Sequence, residues 1–108
     1  MSRPGPEALL VEKIRRARDK TYPGIWTIKV HGGPYQTAGV PDLLNVLDGH
    51  LIAMEVKAQR LGESREHALA RVTPRQQATI DALNRAGATA GVVLSVEEAI
   101  SLVSQAIT

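Results

Sequence analysis

The sequence predicts an α/β domain, a mixed β-sheet of about four strands flanked by helices in the order αβββαβα. Three observations predict it. Asp48-Gly49 stands between two apolar runs, the mark of a tight hairpin whose glycine accepts the positive φ of a primed turn. Thr73-Pro74-Arg75-Gln76 combines a capping threonine, proline at the first helical position and glutamine three residues after the cap, which starts a helix. That helix lies between two strand-like runs, so the sheet continues in parallel beyond the hairpin.

Taken in order, Leu10, Val11, Ile14 and Ala17 recur at helical spacing after Pro4-Gly5-Pro6, with charges between them, and predict a helix to about Lys20. Tyr22-Pro23-Gly24 breaks it, and Ile25 to Val30 has the β-branched and aromatic content of a strand that His31-Gly32-Gly33-Pro34 ends. A loop from Tyr35 to Pro41 leads to the hairpin strands Asp42–Leu47 and Leu51–Lys57. Ala58 to Val72 is charged and weakly periodic, the pattern of a mobile loop that can hold a short helix. Ala78, Ile80, Leu83 and Ala86 extend the helix begun at Thr73, and Gly87 suits a left-handed C-terminal cap. Thr89 to Leu94 reads as an apolar strand, and Ser95-Val96-Glu97-Glu98 opens a last helix through Ile100, Val103 and Ile107.

A length of 108 residues is that of one domain, so a single domain over 1–108 is expected, and 44% hydrophobic residues at a net charge of +2 suit a folded globule. With no cysteine, disulfides, zinc–thiolate sites and thiol nucleophiles are excluded, and a reducing cytoplasm is the expected compartment. No apolar run reaches the roughly 18 residues of a membrane span. Positive charge gathers in residues 1–20 and again at Lys57, Arg60, Arg65, Arg71 and Arg75, a distribution that suits a phosphate backbone and equally a solvated helix face and loop.

Three polar residues fit the fold poorly. Glu55 and Lys57 fall on one side of a strand that is otherwise apolar, so they must emerge into solvent as an i, i+2 ion pair or be held in a site. Asp42 begins the partner strand of the hairpin, which can bring its carboxylate near Glu55. Like charges gathered there repel unless a cation bridges them, and two carboxylates are the usual protein share of a Mg²⁺ site.

Gly39-Val40-Pro41-Asp42, the hairpin and Glu55-Val56-Lys57 resemble the Pro-Asp…(Asp/Glu)-x-Lys signature of the PD-(D/E)xK nuclease superfamily, whose core is restriction-endonuclease-like. With Thr73-Pro74-Arg75-Gln76 and Ala86-Gly87-Ala88 added, the chain resembles a minimal stand-alone virus-type replication-repair nuclease (VRR-NUC) domain from Glu7 to about Ser95. The resemblance implies that Asp42 and Glu55 bind Mg²⁺ or Mn²⁺ with the Val56 carbonyl, that Glu7 completes the site, and that Lys57 contacts the scissile phosphate or orients the attacking water. Gln76 matches a glutamine beside the site in this family, although the capping box asks for the same residue. Lys29, His31, Arg60, Arg65, Arg71 and Arg75 are candidate DNA contacts, with Gly32-Gly33, Tyr35 and Gln36 weaker members of the same neighbourhood. His50 and His67 are expected in solvent, and Trp26 in the core. The implied activity is structure-selective cleavage of branched DNA such as Holliday junctions by a homodimer, because stand-alone members resemble junction resolvases. A flap or duplex-end nuclease and a catalytically silent DNA-binding module are the alternatives.

Overall fold

The computed structural model describes residues 4–31 and 38–108, and its elements are α1 (Pro6–Thr21), β1 (Trp26–Lys29), β2 (Leu43–Leu47), β3 (His50–Val56), α2 (Arg65–Leu69), α3 (Pro74–Arg85), β4 (Thr89–Val93) and α4 (Val96–Ile107). The strands form one four-stranded sheet in the order β1-β2-β3-β4, antiparallel through β3 and parallel between β3 and β4. Expected and observed order differ only by α2, a helix inside the expected loop of 58–72, which Ser64 caps by accepting from the His67 N–H.

Local chemistry explains the connections. At Tyr22-Pro23-Gly24-Ile25 the Ile25 N–H donates to the Tyr22 carbonyl at 3.1 Å and Gly24 takes φ 93°, a type II turn that ends α1 and reverses the chain into β1. Asp48 and Gly49 both have positive φ, 51° and 77°, so the hairpin turn is of the primed kind that matches strand twist. Thr73 and Gln76 cap α3 reciprocally, the Thr73 Oγ1 accepting from the Gln76 N–H at 3.1 Å and the Gln76 Oε1 from the Thr73 N–H at 3.0 Å.

The two faces of the sheet are covered unequally. Leu43, Ile52, Met54, Val56 and Val93 meet Val11 and Ile14 of α1 and Ala99 and Val103 of α4, forming the main core. On the other face Ala53 and Ala90, with Leu44 and Val92, meet Ile80 and Leu83 of α3. α3 covers the β3–β4 half and reaches Leu44 of β2, so the same face of β1 and the far end of β2 have no helix over them among the described residues. Trp26, Ile28 and Val46 are accordingly 59%, 47% and 39% exposed. The expectation of a core tryptophan is thereby corrected: Trp26 is apolar and lies on a strand, but that strand is the sheet edge on its uncovered half.

One polar cluster is built into the main core. Asn45 is fully buried on β2, with its Nδ2 donating to the carbonyl of its cross-strand partner Ile52 at 2.9 Å. Its Oδ1 accepts from Arg18 Nη1 at 3.1 Å and from the Thr27 hydroxyl. Arg18 is also buried, its other guanidinium nitrogens turned to Asp19. Asn45 therefore joins α1, β1 and β3 through one side chain. Asn45→Ala leaves a buried guanidinium and the Ile52 carbonyl short of partners and is expected to cost about 2–4 kcal/mol in urea unfolding. The double change Arg18→Met with Asn45→Leu should cost less than the sum of its two singles.

Candidate functional site

The hairpin register explains why Asp42 meets Glu55. Leu43 pairs with Met54, so one step towards the strand end sets Asp42 opposite Glu55 on the face that α3 covers, which Ala53, Glu55 and Lys57 share. The Asp42 carbonyl accepts from Val30 on β1 at 2.8 Å, which turns the backbone of Leu43 towards β3 and makes Pro41 opposite Val56 the next position for a ladder bond. Proline has no N–H, so the carbonyl of Val56 meets no ladder donor there. The Val56 N–H is taken by the side chain of Asp42, at 2.9 Å to Oδ2. Pro41 and Asp42 thus end the antiparallel ladder in a way that fixes one carboxylate and leaves the Val56 carbonyl without a ladder donor.

Gly39 places that turn. It has φ 87°, and a Cβ there would lie 2.9 Å from both the Cγ and the carbonyl oxygen of Arg75 and 3.0 Å from Thr79 Oγ1. Only glycine lets the segment leading to Pro41-Asp42 lie directly on the first turn of α3. The same contact carries Arg75 and Gln76 towards this end of the sheet.

Glu55 is 2% exposed, and its Oε1 is buried with no hydrogen-bond partner among the described residues. Lys57 Nζ stands 3.7 Å from Glu55 Oε2, its own side chain mostly covered. Burial, and then the Asp42 carboxylate facing it, push the Glu55 carboxyl up from 4.5 to about 8, while Lys57 pulls the other way. A buried carboxylate, a second carboxylate facing it and the Val56 carbonyl, which has no ladder donor at Pro41, make a donor set of hard oxygens, with the Lys57 ammonium beside it. It fits a divalent ion such as Mg²⁺ or Mn²⁺.

The other candidates are placed unequally. Glu7, at the start of α1, lies 3.9 Å from Arg71, and among the described residues no group of three or more His, Cys, Asp and Glu side chains gathers as a metal site. Gln76 holds the α3 cap through its Oε1. Arg65 makes a two-pronged bond to Glu98, at 2.6 and 3.1 Å, and that carboxylate pushes the Arg65 pKa up. Arg71 donates to Glu63 and to the Ala58 carbonyl, tying the loop after β3 to the end of α2, and with the Arg60 N–H it holds the Glu63 carboxyl below its ordinary value. Arg60 and Arg75 are exposed. Lys29 pairs with Leu43 and so lies on the α1 side of the sheet, opposite to Asp42 and Glu55. His31, His50 and His67 are exposed, with His67 Nδ1 3.7 Å from Glu63. Gly32, Gly33, Tyr35 and Gln36 lie outside the described residues. Sequence reasoning missed the contribution of Pro41 through its absent N–H, which the register of the hairpin would have revealed.

No protein-family model matches the sequence, and no curated protein matches it. A solved structure described as a VRR_NUC domain does, with a TM-score of 0.60 and 21% identity over 86% of this chain and 92% of that one. The chain therefore has the fold of that VRR_NUC domain, a mixed four-stranded sheet flanked by helices.

The pKa of Glu55 gives a stability signature. The folded value lies above the unfolded one, so Glu55 contributes stability that is fully present below about pH 4.5 and is lost as pH rises through about 8. Without added metal, urea unfolding of wild type relative to Glu55→Gln should worsen by roughly 2–4 kcal/mol between those limits. A difference that stays flat across that range would contradict the shift.

Proposed function

We propose that the chain is a Mg²⁺- or Mn²⁺-dependent endodeoxyribonuclease that hydrolyses DNA phosphodiester bonds, selective for branched structures such as four-way (Holliday) junctions and acting as a homodimer. The observation that carries this reading is the buried Glu55 with half-buried Asp42 facing it, Lys57 beside it and its Oε1 without a partner among the described residues, at a sheet end of a VRR-NUC fold.

In this reading Asp42, Glu55 and the Val56 carbonyl hold the ion. When bound, it supplies an acidified water and offsets phosphate charge. The protein residues do the rest. Asp42 is oriented by the Val56 N–H, which holds its carboxylate close enough to act on Glu55. Lys57 is fixed by its strand, with its own N–H bonded to the Val93 carbonyl at 3.1 Å, and its ammonium donates to a phosphate oxygen or to the attacking water as charge builds up. Gln76 has its Nε2 left to reach the substrate while its Oε1 keeps the cap. Glu7 stands at Arg71 and would join the ligands only by leaving it.

DNA contacts are assigned first to Arg60 and Arg75, which are exposed near the start of α1 and the start of α3. Arg65 and Arg71 would have to exchange Glu98 and Glu63 for phosphates, and Lys29 and His31, on and just after the edge strand, are the weakest of the assigned contacts. Contacts to phosphates and to DNA shape favour structure over sequence as the basis of selection. A homodimer matches a two-fold junction with two sites that cut opposing strands.

End-labelled four-way junction, flap, single strand and linear duplex, each with Mg²⁺, Mn²⁺ or EDTA, test the reading. Paired, metal-dependent nicks across the junction are expected, with Asp42→Ala and Glu55→Ala each slowing cleavage at least about 100-fold while junction binding is kept. Cleavage that survives either change overturns the site. Binding without cleavage of any substrate points to a DNA-binding module.

A further inference from the structure

The free edge of β1 is self-complementary, and we propose that two copies of this chain join there, β1 pairing antiparallel with β1 of the partner about a two-fold axis through Ile28. This names the interface of the homodimer in the functional reading above and rests on that reading for its biological role. Two four-stranded sheets would become one continuous sheet.

The hydrogen-bond phase of β1 selects the register. The Val30 N–H donates to Asp42 on β2, so Val30, and at period two Ile28 and Trp26, direct their backbone groups inward. Thr27 and Lys29 direct theirs outward, and among the described residues no strand pairs with that edge. An axis through Ile28 sets Thr27 opposite Lys29 of the partner subunit and closes N–H to C=O bonds in both directions at both pairs. An axis through Thr27 would instead pair Lys29 with Ile25, whose N–H is already given to Tyr22. An axis between residues would set side chains of opposite faces against each other, because faces alternate along a strand.

Side chains agree with this register. Ile28 meets its own copy at the close, non-hydrogen-bonded position, and Trp26 lies opposite Val30 of the partner subunit, with Val46 behind it on β2. Trp26 alone exposes roughly 150 Å² of the ~250 Å² a tryptophan can bury, which suits the centre of a small, reversible interface. Charge favours a second copy over DNA. Trp26, Ile28 and Val46 offer phosphates no cation, and Lys29, the one charge on β1, meets a threonine and not its own copy. The two-fold axis runs perpendicular to the sheet, so both copies present α3, Asp42, Glu55 and Lys57 on the same side. One DNA molecule would then face two sites.

The absence of cysteine makes the test direct. At the proposed axis the two Ile28 Cα atoms stand ~4.5 Å apart, within disulfide reach. Wild type is expected to sediment as a dimer at micromolar concentration without DNA, and Ile28→Lys, at a half-exposed position, as a folded monomer by circular dichroism. Mild oxidation should link Ile28→Cys into a covalent dimer while Ala82→Cys, in the exposed groove of α3, stays single. A monomeric wild type, a dimer that survives Ile28→Lys, or linkage at Ala82 as fast as at Ile28 would overturn the interface. Cleavage is read separately: a monomer that still cuts DNA removes only the interface, and a β1-linked dimer that cuts nothing removes only the nuclease reading.

Discussion

A carboxylate in the interior of a 108-residue chain is costly unless its charge is answered, and Glu55 is only partly answered. Lys57 stands 3.7 Å from one oxygen, the other has no partner among the described residues, and Asp42 adds a like charge across the hairpin. The fold around it is arranged to hold this frustrated pair in place. The primed turn at Asp48-Gly49 sets the register that opposes Asp42 to Glu55, Pro41 ends the ladder at that point, and Gly39 lets the turn rest on α3. β4, parallel to β3, fixes Lys57 from the far side. Burial and the facing carboxylate that raise this carboxyl to about 8 make it hold a proton at neutral pH, so a cation bound there would have to displace that proton.

The division of the sheet into a fully covered face and a half-covered one organises the rest. α1 and α4 seal one face with the main core, pinned across by Asn45 and Arg18. α3 seals only the β3–β4 half of the other, so the carboxylate pair lies beside a helix start while Trp26 and Ile28 are left at an edge. Site and edge therefore share one side of the molecule, and a partner at the edge would extend the same working surface.

Much of this was legible in the sequence because the signals were local. The turn glycines, the Thr73–Gln76 box and the alternation of Leu51 to Lys57 each act within a few residues, and they placed the hairpin, α3 and the face of Glu55. What was not legible depends on long-range packing. Alternation marks Trp26 as a strand residue but cannot say that α3 will stop short of β1, so its exposure came only with the sheet order. Arg65 and Arg71 read as free cations, yet Arg65 finds Glu98 across 33 positions of sequence and Arg71 links Glu63 to Ala58. Glu7 has the residue type and helix position of a ligand, and the fold sets it beside Arg71.

In the proposed reading Asp42 and Glu55 form a cation site, and Glu55 keeps its proton until a metal binds. Calorimetric titration of Mn²⁺ into the protein at pH 7, repeated in buffers of different ionisation enthalpy, tests it without any DNA. Saturable binding that releases close to one proton per ion and disappears in Asp42→Ala is the result expected. Binding unchanged by that substitution, or binding with no proton released, would contradict it.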